Sequence, residues 1–216
     1  MAKIKIEMEK IRWGIIGPGN IANNFADGLK GSYSGQLVSI ASNSEDRRKN
    51  FGDKYNIHPD FRFDSYEDII NSEHIDAIYI STPHTLHAEW TIKAAGKGKH
   101  ILCEKPGAIN FNEGKKIIEA VREAGVFYME GFMYRCHPQT FPKLLEIIKS
   151  KMIGDVISIE TSFGFDMGKI IPDHRLFNKN LAGGGILDVG LYPISFSRLI
   201  AGVATGDKFS EPKFLD

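Results

Sequence analysis

Three groups of residues have the types and spacing to do chemistry. Gly17-Pro18-Gly19-Asn20-Ile21-Ala22 has the G-x-G-x-x-A form that cradles a dinucleotide pyrophosphate. Gly17 permits a tight turn, Gly19 lets the backbone approach phosphate, and Ala22 lets the following helix lie close to a sheet. Asn20 and Ile21 open that helix, whose positive N-terminal end would point at the phosphates. The second group is Glu104-Lys105-Pro106. A lysine at the carboxyl end of a buried strand is costly unless it has a partner or a use. Lys105 reads either as a structural ion pair with Glu104 or as a cation beside a nicotinamide, and its place on the ligand edge favours the second. The third group is Asp188 and Tyr192, four residues apart after Gly183-Gly184-Gly185, so that both share one helical face. Tyr192 reads equally as a site residue and as a core tyrosine with a satisfied hydroxyl.

Two weaker signals flank these. An NAD site places an acidic residue about 20 residues past the glycines, where it binds the ribose hydroxyls. The corresponding strand end here is Ser42-Asn43-Ser44, with Arg47 and Arg48 one turn into the next helix. Small polar residues and a guanidinium suit a 2′-phosphate, so the cofactor expected is NADP, with NAD possible. Glu45 and Asp46 lie close by, and the alternative is that residues 45–49 form a plain solvated helix face. Thr82, His84 and His87 follow another strand. Two histidines three apart could begin a metal site, but no third ligand stands at a supporting spacing. They read as surface or cofactor-lining residues, and no metal is expected.

The elements that must position these residues alternate. The apolar run Trp13–Ile16 reads as a strand buried on both faces, leading into the glycines. Strands are also predicted over 36–43, 76–82, 100–106 and 126–130. Between them fall helices from about Asn20 to Lys30, at 64–70, from 84 to about 96 and from 110 to 124. That alternation predicts an α/β fold, a right-handed parallel sheet through residue 127. The loops after its strands then gather Ser42, Thr82, Lys105 and Glu130 at one edge, where such sheets bind ligands. Residues 128–216 form a second domain, with an amphipathic helix at 138–151, a long alternating strand at 154–165 and a helix to about Ile200.

Composition excludes several classes. The 27 basic and 27 acidic residues cancel, as 17 and 17 through Phe127 and 10 and 10 beyond it. Neither part has the positive excess of a nucleic-acid binder. Cys103 and Cys136 offer no disulfide framework and point to a reducing, cytoplasmic setting. Residues 1–10 alternate Lys and Glu with isolated apolar residues, unlike a secretory signal. No run approaches membrane-spanning length.

With these residues placed, the chain resembles the glucose-fructose oxidoreductase/inositol dehydrogenase (Gfo/Idh/MocA) family, in its dihydrodiol and xylose dehydrogenase-like branch. Glu104-Lys105-Pro106 matches the family's Glu-Lys-Pro motif. Residues 129–138, Met-Glu-Gly-Phe-Met-Tyr-Arg-Cys-His-Pro, look like the branch's segment after the fifth strand, and residues 183–192 like its catalytic helix start. The resemblance implies a Rossmann domain followed by an α+β domain with an open, antiparallel-rich sheet. It implies that Lys105 lies by the nicotinamide, Tyr192 is the proton donor and acceptor, Asp188 orients substrate and Arg175 lies near the cofactor. The implied activity is hydride transfer between nicotinamide and a sugar or other polyhydroxylated small molecule, in a homo-oligomer. Asn43 departs from the pattern, since dihydrodiol dehydrogenases tend to carry arginine there, leaving Arg47 alone for the phosphate. A non-catalytic dinucleotide sensor and an internal-redox enzyme with tightly held NADP are the alternative readings.

One further expectation is physical. The strand predicted at 155–165 has no neighbour within the chain, and one strand cannot satisfy its own backbone. The 216 residues are therefore expected to be part of a larger unit, with an unpaired edge, exposed apolar surface and self-association. A naturally short variant, or one completed by another chain, is the competing reading.

Overall fold

The computed structural model describes residues 9–207 and 210–213. The chain divides into two compact units, Met1–Gly131 and Phe132–Asp216.

In the first unit, six parallel strands form one sheet in the order β3-β2-β1-β4-β5-β6. They are β1 (Ile11–Ile16), β2 (Gly35–Ala41), β3 (Arg62–Phe63), β4 (Ala77–Ile80), β5 (His100–Cys103) and β6 (Tyr128–Glu130). The helices are α1 (Asn20–Lys30), α2 (Glu45–Lys54), α3 (Tyr66–Asn71), α4 (His87–Gly96) and α5 (Phe111–Ala124). Five of the strands are legible in the sequence. β3 is not, because two residues carry no periodicity; its edge place comes from pairing Arg62 and Phe63 with Ile40 and Ala41.

Side-chain alternation across the register builds two cores. Ile15 pairs with Ile40 and Tyr79, and Tyr79 with Leu102, and this row faces α1, whose Ala22 and Ala26 are buried. The next row, Ile16, Ala41, Ile80 and Cys103, faces the opposite way with Ile78 and Ile101. Trp90, Ala94 and Ala95 of α4 and Ile69 and Ile70 of α3 cover that side. Burial on both faces explains why these strands read as continuous apolar runs. Local chemistry sets the helix starts. Ser44 accepts from Arg47 N, Ser65 from Glu67 N and Asn110 from Glu113 N. The Glu113 carboxylate also accepts from Ile109 N at 3.2 Å, one residue before the cap, which tightens the start of α5.

The strand order reverses direction between β1 and β4, so a crevice opens beyond their carboxyl ends. Ser81 stitches that point by donating from Oγ to Gly17 O at 2.7 Å.

The second unit holds α6 (Thr140–Lys149) and α7 (Leu191–Thr205), with short turns between them. The strand expected at 154–165 is not formed among the described residues. The segment makes no ladder, and Ile157, Phe163 and Phe165 are exposed. The reason is the one that governs isolated strands: without a neighbour its N–H and C=O groups pair with water. A second expectation is also corrected. Lys179–Thr205 is long and apolar enough, by length and composition alone, to cross a membrane. It went unnoticed in the sequence because it is assembled from a 3₁₀ turn (Lys179–Leu181), a wide π-type turn (Ile186–Gly190) and α7, and it carries Asp188 and Arg198.

Candidate functional site

In the first unit the glycine loop takes the shape its sequence requires. Gly17 has φ +91°, and a β-carbon there would lie 3.1 Å from Ser81 O. Both facts exclude other residues. Gly19 differs, since a β-carbon there would meet nothing within 4 Å. Its bareness therefore answers to no neighbour in the protein. The start of α1 at Asn20 and Ile21 has no side-chain cap and no acidic residue in its first turn. Its first N–H groups are thus left for an anion. Asn23 Nδ2 donates to Gly19 O at 3.0 Å, while Asn23 Oδ1 accepts from Tyr55 and Lys54, fixing the loop to α2.

At the end of β2, Ser42 is buried and its hydroxyl accepts from Ser44 N at 3.2 Å. Of the two arginines there, Arg48 donates to Ser42 O at 2.6 Å and so holds this turn. Arg47 and Asn43 are exposed, and the Arg47 guanidinium makes no hydrogen bond or ion pair among the described residues. At the end of β4, Thr82 is buried, and its Oγ1 has no hydrogen-bond partner among the described residues. A buried hydroxyl without a partner costs about 1–3 kcal/mol, which a bound ligand would offset. An open glycine, an uncapped helix start and an orphaned hydroxyl at one switch point fit a dinucleotide.

His84 is buried beside His87, ring centroids 5.8 Å apart. His87 is fully buried, with Nδ1 2.7 Å from Pro106 O and Nε2 2.8 Å from Thr82 O. Glu104 accepts from the Tyr79 hydroxyl at 2.6 Å. Burial, and then the charge of Glu104, push the Tyr79 hydroxyl pKa well up, so it remains a donor. Beyond Lys105, Gly107 N donates to Glu130 Oε1 at 2.7 Å. Cys103, just before the turn, has its thiol pushed up to about 12 by burial, which leaves it inert. Tyr79 escaped the sequence-based candidates because it sits inside an apolar strand. Only its OH, reaching past the strand end, reveals its part.

In the second unit, Gly183 has no room for a side chain, because a β-carbon would lie 2.7 Å from Arg175 O. The chain crosses itself there and turns through Gly184, at φ +128°, into the wide turn. That turn buries Asp188, 3.9 Å from Arg175 Nη1. Tyr192 follows on α7, ringed by Phe163 at 5.1 Å, Phe132 at 5.5 Å and Tyr134 at 6.0 Å. A cavity of about 670 Å³ opens on it, lined also by Glu160, Thr161 and Phe196. Ser195, one turn on, meets Tyr134 OH at 2.9 Å and Arg135 Nη2 at 2.5 Å, which ties α7 to the turn at Met133–Cys136.

Sheet order, glycine cradle and switch-point crevice define a Rossmann dinucleotide-binding unit, joined in sequence to a second unit. The family model described as "Oxidoreductase family, NAD-binding Rossmann fold" (GFO_IDH_MocA) matches residues 11–132. The GFO/IDH/MocA C-terminal domain matches residues 141–206. The chain belongs to the Gfo/Idh/MocA oxidoreductase family. It is 34% identical over 202 residues to trans-1,2-dihydrobenzene-1,2-diol dehydrogenase of Mus musculus, covering 93% of this chain and 59% of that protein. It is 35% identical over 190 residues to D-xylose 1-dehydrogenase (NADP(+)) 2 of Haloferax volcanii, covering 88% of this chain and 57% of that one. Among solved structures, the aldose-aldose oxidoreductase from Caulobacter crescentus complexed with glycerol superposes with TM-score 0.82 at 27% identity, covering 90% of this chain and 58% of that one. The chain thus spans well under two thirds of the length of these relatives.

Proposed function

We propose that the protein is an NADP-dependent oxidoreductase acting on a CH–OH group of a sugar or other polyhydroxylated small molecule. The observation that carries this is the switch-point crevice, where Gly19, the α1 start and the orphaned Thr82 hydroxyl supply what a dinucleotide needs. Gly17, Gly19, Asn20 and Ile21 would hold the pyrophosphate. Ser42, Asn43 and Arg47 would line the adenosine ribose, with the uncommitted Arg47 guanidinium on a 2′-phosphate. Thr82 and His84 would flank the cofactor just after β4. The bound nicotinamide supplies the hydride acceptor.

The chain's own groups handle position, charge and the proton. Lys105 holds a positive charge at the end of β5, with Glu104 fixed by Tyr79. Tyr192 takes the hydroxyl proton of the substrate in oxidation and returns it in reduction, as a general base and acid. Asp188, fixed near Arg175, orients a substrate hydroxyl. Aromatic rings beside Glu160 and Thr161 suit a ligand with apolar C–H faces and many hydroxyls. Relatives named as diol and xylose dehydrogenases support that substrate class. The two free cysteines, Cys103 and Cys136, accord with a cytoplasmic setting, and a homo-oligomer is the proposed assembly.

The test titrates the purified chain with NADPH and NADH. It then assays aldoses and diols by absorbance of the reduced cofactor. Tighter NADPH binding with turnover on a polyol supports the proposal; failure to bind either cofactor overturns it. Binding without turnover across the panel would move the reading to a dinucleotide sensor. NADP retained through purification would favour internal redox.

A further inference from the structure

The turn that carries Lys105 is gripped by side chains from three different elements. Tyr79 of β4 donates to the Glu104 carboxylate at 2.6 Å, and its ring is stacked on Phe25 with centroids 4.1 Å apart. His87 of α4 spans from Thr82 O at 2.8 Å to Pro106 O at 2.7 Å. Both carbonyls only accept, so an imidazole with one N–H donates to one of them, at the end of β4 or at the residue after Lys105, and its ring packs between the two. Glu130 of β6 accepts from Gly107 N at 2.7 Å, and a β-carbon at Gly107 would press on the Tyr128 hydroxyl. Backbone bonds complete the frame, Glu104 N to Ile80 O at 2.9 Å and Gly131 N to Cys103 O at 2.8 Å. Residues 104, 106 and 107 are thus each held from a separate element.

We infer that Tyr79, His87 and Glu130 are positioning residues that set where Lys105 stands at the cofactor edge. This rests on the proposed role of Lys105 as the cation beside the nicotinamide. A catalytic constellation works best when its groups are held to within about 0.5 Å of the productive geometry, and a loop needs a supporting shell to do that. The grip also gives His87 a part distinct from ligand contact, since both its nitrogens face backbone carbonyls.

The experiment uses the full chain. Backbone order at the amides of Glu104, Lys105 and Gly107 is measured by ¹⁵N relaxation, alongside NADPH affinity and thermal midpoint, in Glu130→Leu, Glu130→Gln, Tyr79→Phe and His87→Leu. The expected result for Glu130→Leu and Tyr79→Phe is a turn that loses order while amides of β1 and β2 keep theirs, with NADPH bound at least about fivefold more weakly. Glu130→Gln, whose amide oxygen still accepts from Gly107 N, restores both. His87→Leu removes the N–H that one of these buried carbonyls accepts, so the other variants decide if it fails to fold. A turn as rigid as wild type in Glu130→Leu and Tyr79→Phe overturns the proposal. So does loosening spread evenly over the sheet, or a loosened turn with unchanged NADPH affinity. If the wild type binds neither NADPH nor NADH, the functional reading falls, and the grip stands or falls on the order of the turn alone.

Discussion

Thr82 illustrates how a single side chain separates stability from function. Its hydroxyl is buried and unpartnered among the described residues, so it weakens the fold unless something binds it. Thr82→Val keeps the shape and removes the hydroxyl. The expected outcome is an unchanged or raised thermal midpoint with weaker NADPH binding, checked by calorimetry and cofactor titration. Arg47 carries a second prediction. Its exposed guanidinium contributes nothing to the fold by hydrogen bond or ion pair among the described residues. Arg47→Ala should therefore leave stability alone and weaken NADPH far more than NADH, a charged contact being worth about 1.5–3 kcal/mol. Equal losses for the two cofactors would remove Arg47 from the phosphate. Tyr192→Phe should lower turnover by about 10²–10⁴-fold in a catalytically competent form, with cofactor affinity near wild type. Near-normal turnover would return Tyr192 to an aromatic packing role among Phe132, Tyr134 and Phe163.

At the scale of elements, the start of the sheet and its carboxyl end do different work. Arg12 on β1 donates to both carboxylate oxygens of Asp76, just before β4, at 2.6 and 3.0 Å. That hydrogen bond, more than the simple charge attraction, holds the Asp76 pKa below its ordinary value. A depressed carboxyl contributes stability above its unfolded pKa, about 3.9, and loses it as pH falls through the folded value. The link between β1 and β4 should therefore weaken only below about pH 4. Asp76→Asn should flatten the acid limb of a circular dichroism titration there and leave neutral cofactor binding intact. At the carboxyl end, Gly17→Ala should do the reverse. It forces a side chain into φ +91° against Ser81 O, and cofactor binding should fall together with stability.

For the whole molecule, the exposed apolar residues belong mainly to the second unit, where Ile157 is 92% exposed and Phe163 and Phe165 more than half. An unpaired backbone beside such residues invites pairing with another copy. Sedimentation velocity should show concentration-dependent association, reduced by Ile157→Glu; a monodisperse monomer would dismiss it. The sequence by itself determined the first unit. Trp13–Ile16, the glycines after it and the alternating apolar runs specify a parallel sheet, because burial on both faces leaves a continuous signal. It also placed Ser42, Thr82, Lys105 and Glu130 at one edge, since strand direction alone fixes that. Tertiary structure decided the rest. The two-residue β3 exists only through its partner β2, and 154–165 lacks a ladder because alternation supplies a pattern and no neighbour. That Tyr79 reaches Glu104 and His87 turns both nitrogens to backbone depends on contacts 25, 19 and 5 residues away in sequence. Local spacing encodes which way a residue points along its own element, but a hydrogen-bond partner on another element is settled only when the sheet is assembled.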